Sequence, residues 1–265
     1  MAENDSSFVI LIDTNAMSAL SIYVESCSAV NTELGAGIED LKEKFKKKIE
    51  REEVKFEEYL ELSGRCGAKA GFDLFWYLKN KNTELSNNVK IYFSFFSQVE
   101  LFGVFLDRVF DHKLTRQGVP YRIRKKKPFR VQIGFNYQEE VVDFWEEIKD
   151  KLMEQGIKFE VPEYESHSEF LKDAMQVLKI VSKYLALETM DLYLYATGIS
   201  LRVDEIYTHD DDFRKIINNI REDPNWKNIF NSIQKDLIEK NRSFYMEFES
   251  KGKITLPKGV PHEPH

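Results

Sequence analysis

Cysteine is nearly absent: only Cys27 and Cys66 occur in 265 residues, far apart. That excludes a disulfide framework and a cysteine-based zinc set. No apolar stretch approaches the roughly 20 residues of a membrane-spanning helix. The apolar run FVILI near the start is short, ends at Asp13 and lacks a basic leader, so no signal peptide is expected there. Internal repeats and long low-complexity tracts are missing too. A cytoplasmic protein with no membrane partner is the expectation. Acidic residues are also lacking in one place. Between His112 and Gln138 there is no Asp or Glu, against eight basic residues: Lys113, Arg116, Arg122, Arg124, Lys125, Lys126, Lys127 and Arg130. The chain as a whole carries −7, so everything outside that segment carries −15. An acidic body with one concentrated basic element can address a polyanion locally; a solvated basic loop or a partner-docking arm is the plainer alternative.

What is present is an alternation of short apolar runs with helical patterns. Phe8 to Ile12 reads as a buried strand, followed by a helix from Ala16. From Ile38 to Leu62, apolar residues recur at helical spacing among Glu and Lys, and Phe72 to Leu78 reads as another helical piece. Val89 to Phe93 is a second strand, with a turn at Ser94 to Phe96 and a helix through Phe110. Alternation in Tyr121-Arg122-Ile123-Arg124 and in Phe129 to Phe135 predicts a β-ribbon in the basic segment. Gln138 to Gln155 is helical, capped by Gly156, and Ile157 to Val161 is a third strand. Two helices fill His167 to Ser200, and Glu205 to Tyr207 is a fourth strand. Helices are expected from Phe213 and from about Trp226 to Asn241. The last fifteen residues, with His262 and His265, read as a loose tail. Strands alternating with helices imply a mostly parallel sheet covered on both faces.

The acids at the junctions of this pattern carry the chemistry. Asp13 follows the first strand in FVILIDTNAM, and Glu100 lies in the first turns after the second, in YFSFFSQVEL. Asp191 starts a helix in ALETMDLYLYATG, and Asp210 and Asp212 follow the fourth strand in IYTHDDDF. Parallel βα units point strand ends and helix starts toward one edge, so these groups are expected to share a rim. Clustered carboxylates repel unless a cation intervenes, and hard oxygen ligands suit Mg²⁺ or Mn²⁺. Each acid also has a plain reading. Asp13 can cap the following helix, Glu100 can be a surface acid, and Asp210 and Asp212 can cap a helix at Phe213. Glu188 is a weaker fifth acid, and His209 is a turn residue.

These motifs (IDTN, SxxE, the helix MDLYLYAT and the THDDDF turn) resemble the PIN-domain nucleases. The resemblance spans roughly residues 8 to 215 and implies an α/β fold, a three-layer α/β/α sandwich around a mostly parallel sheet, with extra helices and a basic inserted arm. It implies a nuclease domain over 1–215, a helical insertion at about 36–80 and a basic insertion at about 112–136. A helical extension and tail would follow over 216–265. By position, Asp13, Glu100, Asp191 and Asp210 match the family's metal-binding catalytic acids, with Asp212 the neighbouring acid. Asn15 and Thr208 match supporting polar positions. The expected activity is a metal-dependent endoribonuclease that hydrolyses single-stranded or looped RNA with metal-activated water, gripped by Arg122, Arg124, Lys125, Lys126, Lys127 and Arg130. A toxin or defence role, an inhibitor protein and a homo-oligomer are compatible with it. The alternatives are a nuclease acting on DNA flaps or single strands, and a catalytically weak RNA-binding or scaffold module. An aspartyl-nucleophile phosphatase would need Asp at Asn15, and a metal-dependent adhesion site would need Ser at Asn15 and Met17.

Overall fold

The computed structural model describes residues 7–51, 67–124, 138–183 and 187–210. It also describes positions 224–225, 228, 231–232, 235, 247–249 and 253–255. The chain is mixed α/β and divides into two compact units. The sheet unit comprises Met1–Asn15, Leu85–Ser97 and Phe159–His265; the helical unit comprises Ala16–Glu84 and Gln98–Lys158.

In the sheet unit, β1 (Phe8–Ile12) is central. It pairs in parallel with β2 (Val89–Tyr92) on one side and β4 (Glu205–Tyr207) on the other. β3 (Phe159–Glu160) adds in parallel beyond β2. On the far side of β4, β6 (Lys253–Thr255) and then β5 (Glu247–Glu249) add antiparallel, giving the order β3-β2-β1-β4-β6-β5. Asp204 sets the register of β4: its backbone N–H donates to Val9 O, and its Oδ2 accepts from Val9 N.

Two helices of this unit, α7 (Ser168–Val181) and α8 (Thr189–Leu201), share a core with Leu11 and Ile206. Val177, Ile180, Val181, Leu194, Tyr195 and Ile199 fill it. Successive strand residues face opposite ways, and Ile10 and Ile12 are as fully buried as Leu11. Both faces of β1 are therefore covered, which is why it is a continuous apolar run. Gly198 lets α8 approach β4: a Cβ there would lie 2.6 Å from Ile206 Cδ1.

The helical unit contains most of α1 (Thr14–Ala29), with α2 (Ile38–Glu50), α3 (Gly67–Glu84), most of α4 (Phe95–Arg116), the single turn α5 (Tyr121–Arg124) and α6 (Gln138–Glu154). Gly71 lies where a Cβ would come within 2.1 Å of Ala19 O, so α1 and α3 meet through their backbones. Tyr23 packs on Phe72 and Phe75, while its hydroxyl donates to Ala36 O and accepts from Gly35 N. Arg108 reaches from α4 to α1, donating to Ser18 O, Ser18 Oγ and Ser21 Oγ.

Several boundaries differ from expectation. The basic segment does not start as a ribbon: Tyr121–Arg124 is a helical turn entered through Pro120, whose carbonyl accepts from Ile123 N. Proline's fixed φ is preorganised for helix entry, and that local effect outweighs the alternation. Phe129 to Phe135 lies outside the described residues. The third strand shrinks to two residues. Gly156, at φ +77, ends α6 and turns Ile157 N back to Leu152 O, so Ile157 belongs to the helix end; two residues past the strand, Pro162 has no N–H to pair. α2 stops at Glu50, and the rest of the stretch predicted to Leu62 is outside the described residues apart from Arg51. Residues 253–255, expected in the loose tail, form β6 instead. They cover the edge of β4, whose unpaired backbone groups would otherwise be open to another chain.

Candidate functional site at the carboxyl edge of the sheet

From β1 the chain crosses to β2 and β3 on one side, then returns to place β4 on the other. The gap beyond the carboxyl ends of β1 and β4 is therefore the topological switch point. Crossovers diverge there, and open α/β sheets hold their ligands in that crevice. Ile12 pairs with Tyr207, so the next residues, Asp13 and Thr208, flank this crevice. Asp13 N extends the ladder by donating to Tyr207 O at 3.0 Å.

Asp13 is only 7% exposed and Thr208 1%. A buried carboxylate is costly unless hydrogen-bonded. Asp13 Oδ2 accepts from Thr208 Oγ1 at 2.6 Å, and Oδ1 accepts from Thr14 N at 2.6 Å, at the positive end of α1. Thr208 is the hub. While donating to Asp13, its Oγ1 accepts from Asp210 N at 3.0 Å and from Asn15 Nδ2 at 3.5 Å. Asn15 Oδ1 accepts from His209 N at 2.9 Å, closing the loop between the start of α1 and the turn after β4. Asp13, Asn15, Thr208 and Asp210 are thus one hydrogen-bonded group.

Asp191 reaches the same edge by another route. Three residues separate the end of α8 from β4, and α8 has 13 residues, a rise of about 20 Å. Its first turn, carrying Asp191, therefore lies toward the carboxyl ends of the strands. The Tyr193 ring on that turn lies tilted against Phe96, which follows β2, with centroids 4.3 Å apart. Glu188 is the residue before α8; it is exposed and makes no side-chain cap.

Glu100 is exposed, one turn into α4, and packs with the helical unit. Asp212 and the basic residues Lys125, Lys126, Lys127 and Arg130 lie outside the described residues. Arg122 is exposed on α5, and Arg124 ends that turn. Among the described residues, no three of His, Cys, Asp and Glu form a group that could hold a metal ion.

Some polar residues of this edge were not anticipated. Ser94 caps α4, its Oγ accepting from Ser97 N at 3.1 Å. Ser97 O accepts from Thr14 Oγ1 at 3.4 Å. Glu165, in the 3-10 turn Glu163–Ser166 after β3, accepts from Phe95 N through Oε2 at 2.8 Å. Its Oε1 is buried with no hydrogen-bond partner among the described residues. Burial pushes the Glu165 carboxyl above its usual value, opposed by the Phe95 N–H. Tyr193 is pushed up to about 12, chiefly by burial, with the Thr197 hydroxyl opposing and the Glu165 charge reinforcing. Glu165 stands five residues past β3, beyond Glu163, so an acid directly after a strand was no signal for it.

No protein-family model matches this chain, and no solved structure matches it. A curated protein of Candida albicans, "RNA-binding protein RMD9, mitochondrial", is 25% identical over 170 residues, covering 61% of this chain. The match takes in 25% of that protein, so the chain spans about a quarter of the length of the curated relative it matches.

Proposed function

We propose that this chain binds RNA and cleaves it as a metal-dependent endoribonuclease, with its centre in the crevice between β1 and β4. The observation that carries this reading is the Asp13–Thr208 pair at the switch point, tied to Asn15 and Asp210. Two of its members carry carboxylates: Asp13 enters through its carboxylate, and Asp210 is tied in through its backbone N–H. That fits Mg²⁺ or Mn²⁺, which are held by one or two carboxylates plus waters and substrate phosphate. The resemblance to PIN-domain nucleases adds Asp191 and Asp212 as further ligands, while Glu100, which it also implies, falls in the helical unit; the printed name of the curated relative favours RNA as what the chain binds.

Asp13 and Asp210 would hold the cation, which when bound polarises the phosphodiester and acidifies water. The residues around them set geometry. Thr208 fixes one oxygen of Asp13, the α1 N-terminus fixes the other, and Asn15 pins the turn that carries Asp210. Arg122 and the basic segment after it would grip the RNA backbone.

A second reading is an RNA-binding module with little or no catalysis. It is favoured by the absence, among the described residues, of a three-residue metal group and by the relative's printed name. One assay separates the two. Purified protein is incubated with labelled single-stranded RNA or DNA, with Mn²⁺, Mg²⁺ or EDTA. The nuclease reading expects metal-dependent RNA cleavage leaving 5′-phosphate and 3′-hydroxyl ends. RNA binding without cleavage in any metal selects the module, and preferential DNA cleavage changes the substrate.

A further inference from the structure

Two phenylalanines stand in water at the edge that carries the crevice. Phe95 is 57% exposed and Phe96 42%, at the first two positions of α4, while Phe93 two residues earlier is fully buried. The two rings meet edge to face at 5.9 Å, and the Tyr193 ring lies 4.3 Å from Phe96. Their backbone is held firmly: Glu165 accepts from Phe95 N, and Ser94 caps Ser97 N. The rings are therefore presented by a fixed helix start.

The helix starts at this edge are already engaged by carboxylates: Asp13 accepts from Thr14 N and Glu165 from Phe95 N, and Asp191 lies in the first turn of α8. The phosphodiester backbone is therefore brought here by the cation that the reading above assigns to Asp13 and Asp210. Aromatic faces beside such a backbone are how proteins hold unpaired bases, since each base offers a π-face whatever its sequence.

We propose that Phe95 and Phe96 form a stacking platform for an unpaired base of single-stranded RNA, with Tyr193 bracing Phe96 from behind. This rests on the RNA reading above and adds the groups that would position the strand beside Asp13. The platform takes bases without regard to sequence and excludes duplex, whose bases are already stacked.

The test uses the full chain and two labelled strands of equal length, oligouridylate and its abasic ribose-phosphate counterpart. Binding is read in EDTA, and cleavage is read in parallel with Mn²⁺. Phe96→Leu is expected to weaken oligouridylate binding about tenfold, equivalent to about 1.4 kcal/mol, leave abasic binding unchanged, and be rescued by Phe96→Tyr. Wild-type affinity in both Phe95→Leu and Phe96→Leu overturns the platform, and so does equal loss on the two strands. Ring-dependent binding with no Mn²⁺ cleavage keeps the platform and removes the nuclease reading. A wild-type chain that binds neither strand overturns both. If Phe96→Leu instead dissolves a self-association and leaves RNA binding unchanged, the rings belong to a second copy of the chain and the platform is wrong.

Discussion

Buried polar groups do different work in the two units. In the helical unit, the Tyr23 hydroxyl is matched as both donor and acceptor, and Arg108 spreads its donors over Ser18 and Ser21. Such groups clamp helices and loops together, and the arrangement asks for nothing from outside. At the carboxyl edge of the sheet unit, the buried group centres on a carboxylate whose described partners are a hydroxyl and a backbone N–H. Polar burial in the first unit joins helices and loops, and in the second it ties a carboxylate to the switch point, where the proposed reading puts a cation.

The sharpest way to break that contrast is Asp13→Asn. Removing the charge at nearly constant shape is expected to lower metal-dependent cleavage at least about 100-fold, which corresponds to about 2.7 kcal/mol. The metal-free protein should melt within a few degrees of wild type, because relieving carboxylate repulsion offsets an altered hydrogen bond. Full cleavage retained in both Asp13→Asn and Asp191→Asn would remove the site.

The mirror experiment is Tyr23→Phe. It leaves Gly35 N without its hydroxyl acceptor and Ala36 O without its donor. A loss of about 1–3 kcal/mol in unfolding free energy is expected from denaturant titration, with cleavage per folded molecule unchanged. Impaired cleavage at full foldedness would show that the helical unit takes part in the chemistry.

Thr208→Val sits between these extremes. It keeps the β-branched shape directly after β4 and removes the donor to Asp13 and the acceptor for Asp210 N. Both readouts should fall together, activity by about tenfold and stability by about 1–2 kcal/mol. Thr208→Ser should restore most of each. A stability loss alone would make Thr208 a fastener only.

The smallest effect concerns pH. The folded Glu165 carboxyl is raised above its ordinary 4.5, first by burial. The folded state then holds its proton more tightly than the unfolded state. Stability is expected to fall as pH rises from about the ordinary value through the raised folded one, a slope opposite to that of a salt-bridged acid. Glu165→Gln should flatten that part of the profile in thermal melts between weakly acidic and neutral pH. An unchanged slope would mean that the buried carboxyl is solvated.

Much of this was legible in the chain because it depends on local chemistry. FVILI can only be a strand buried on both faces, and polar residues directly after it and after Glu205–Tyr207 mark the strand ends. Asp13, Asn15, Thr208 and Asp210 follow from that pattern, and the structure brings them into one hydrogen-bonded group. Other features depend on partners distant in sequence. Glu165 was hidden because its partner, the backbone N–H of Phe95, is 70 residues away in the chain. β6 was hidden because a short Lys-Ile-Thr segment becomes a strand only when the edge of β4 is there to pair with. The ribbon expected at Tyr121 failed because entry through Pro120 overrode an alternation only four residues long.

The sequence by itself determined the parallel strands β1, β2 and β4 with the helices after them, and the acids Asp13, Asp191 and Asp210 at their junctions, because apolar periodicity and polar breaks act over a few residues. Tertiary structure alone decided which junctions meet. Parallel pairing set β4 beside β1 in a register that joins Thr208 to Asp13 across 195 residues. The close approach allowed by Gly198 seated α8, with Asp191 on its first turn, on that sheet. The physical reason is range: a hydrogen bond acts over about 3 Å, so residues this far apart in the chain can share one only after the sheet has assembled.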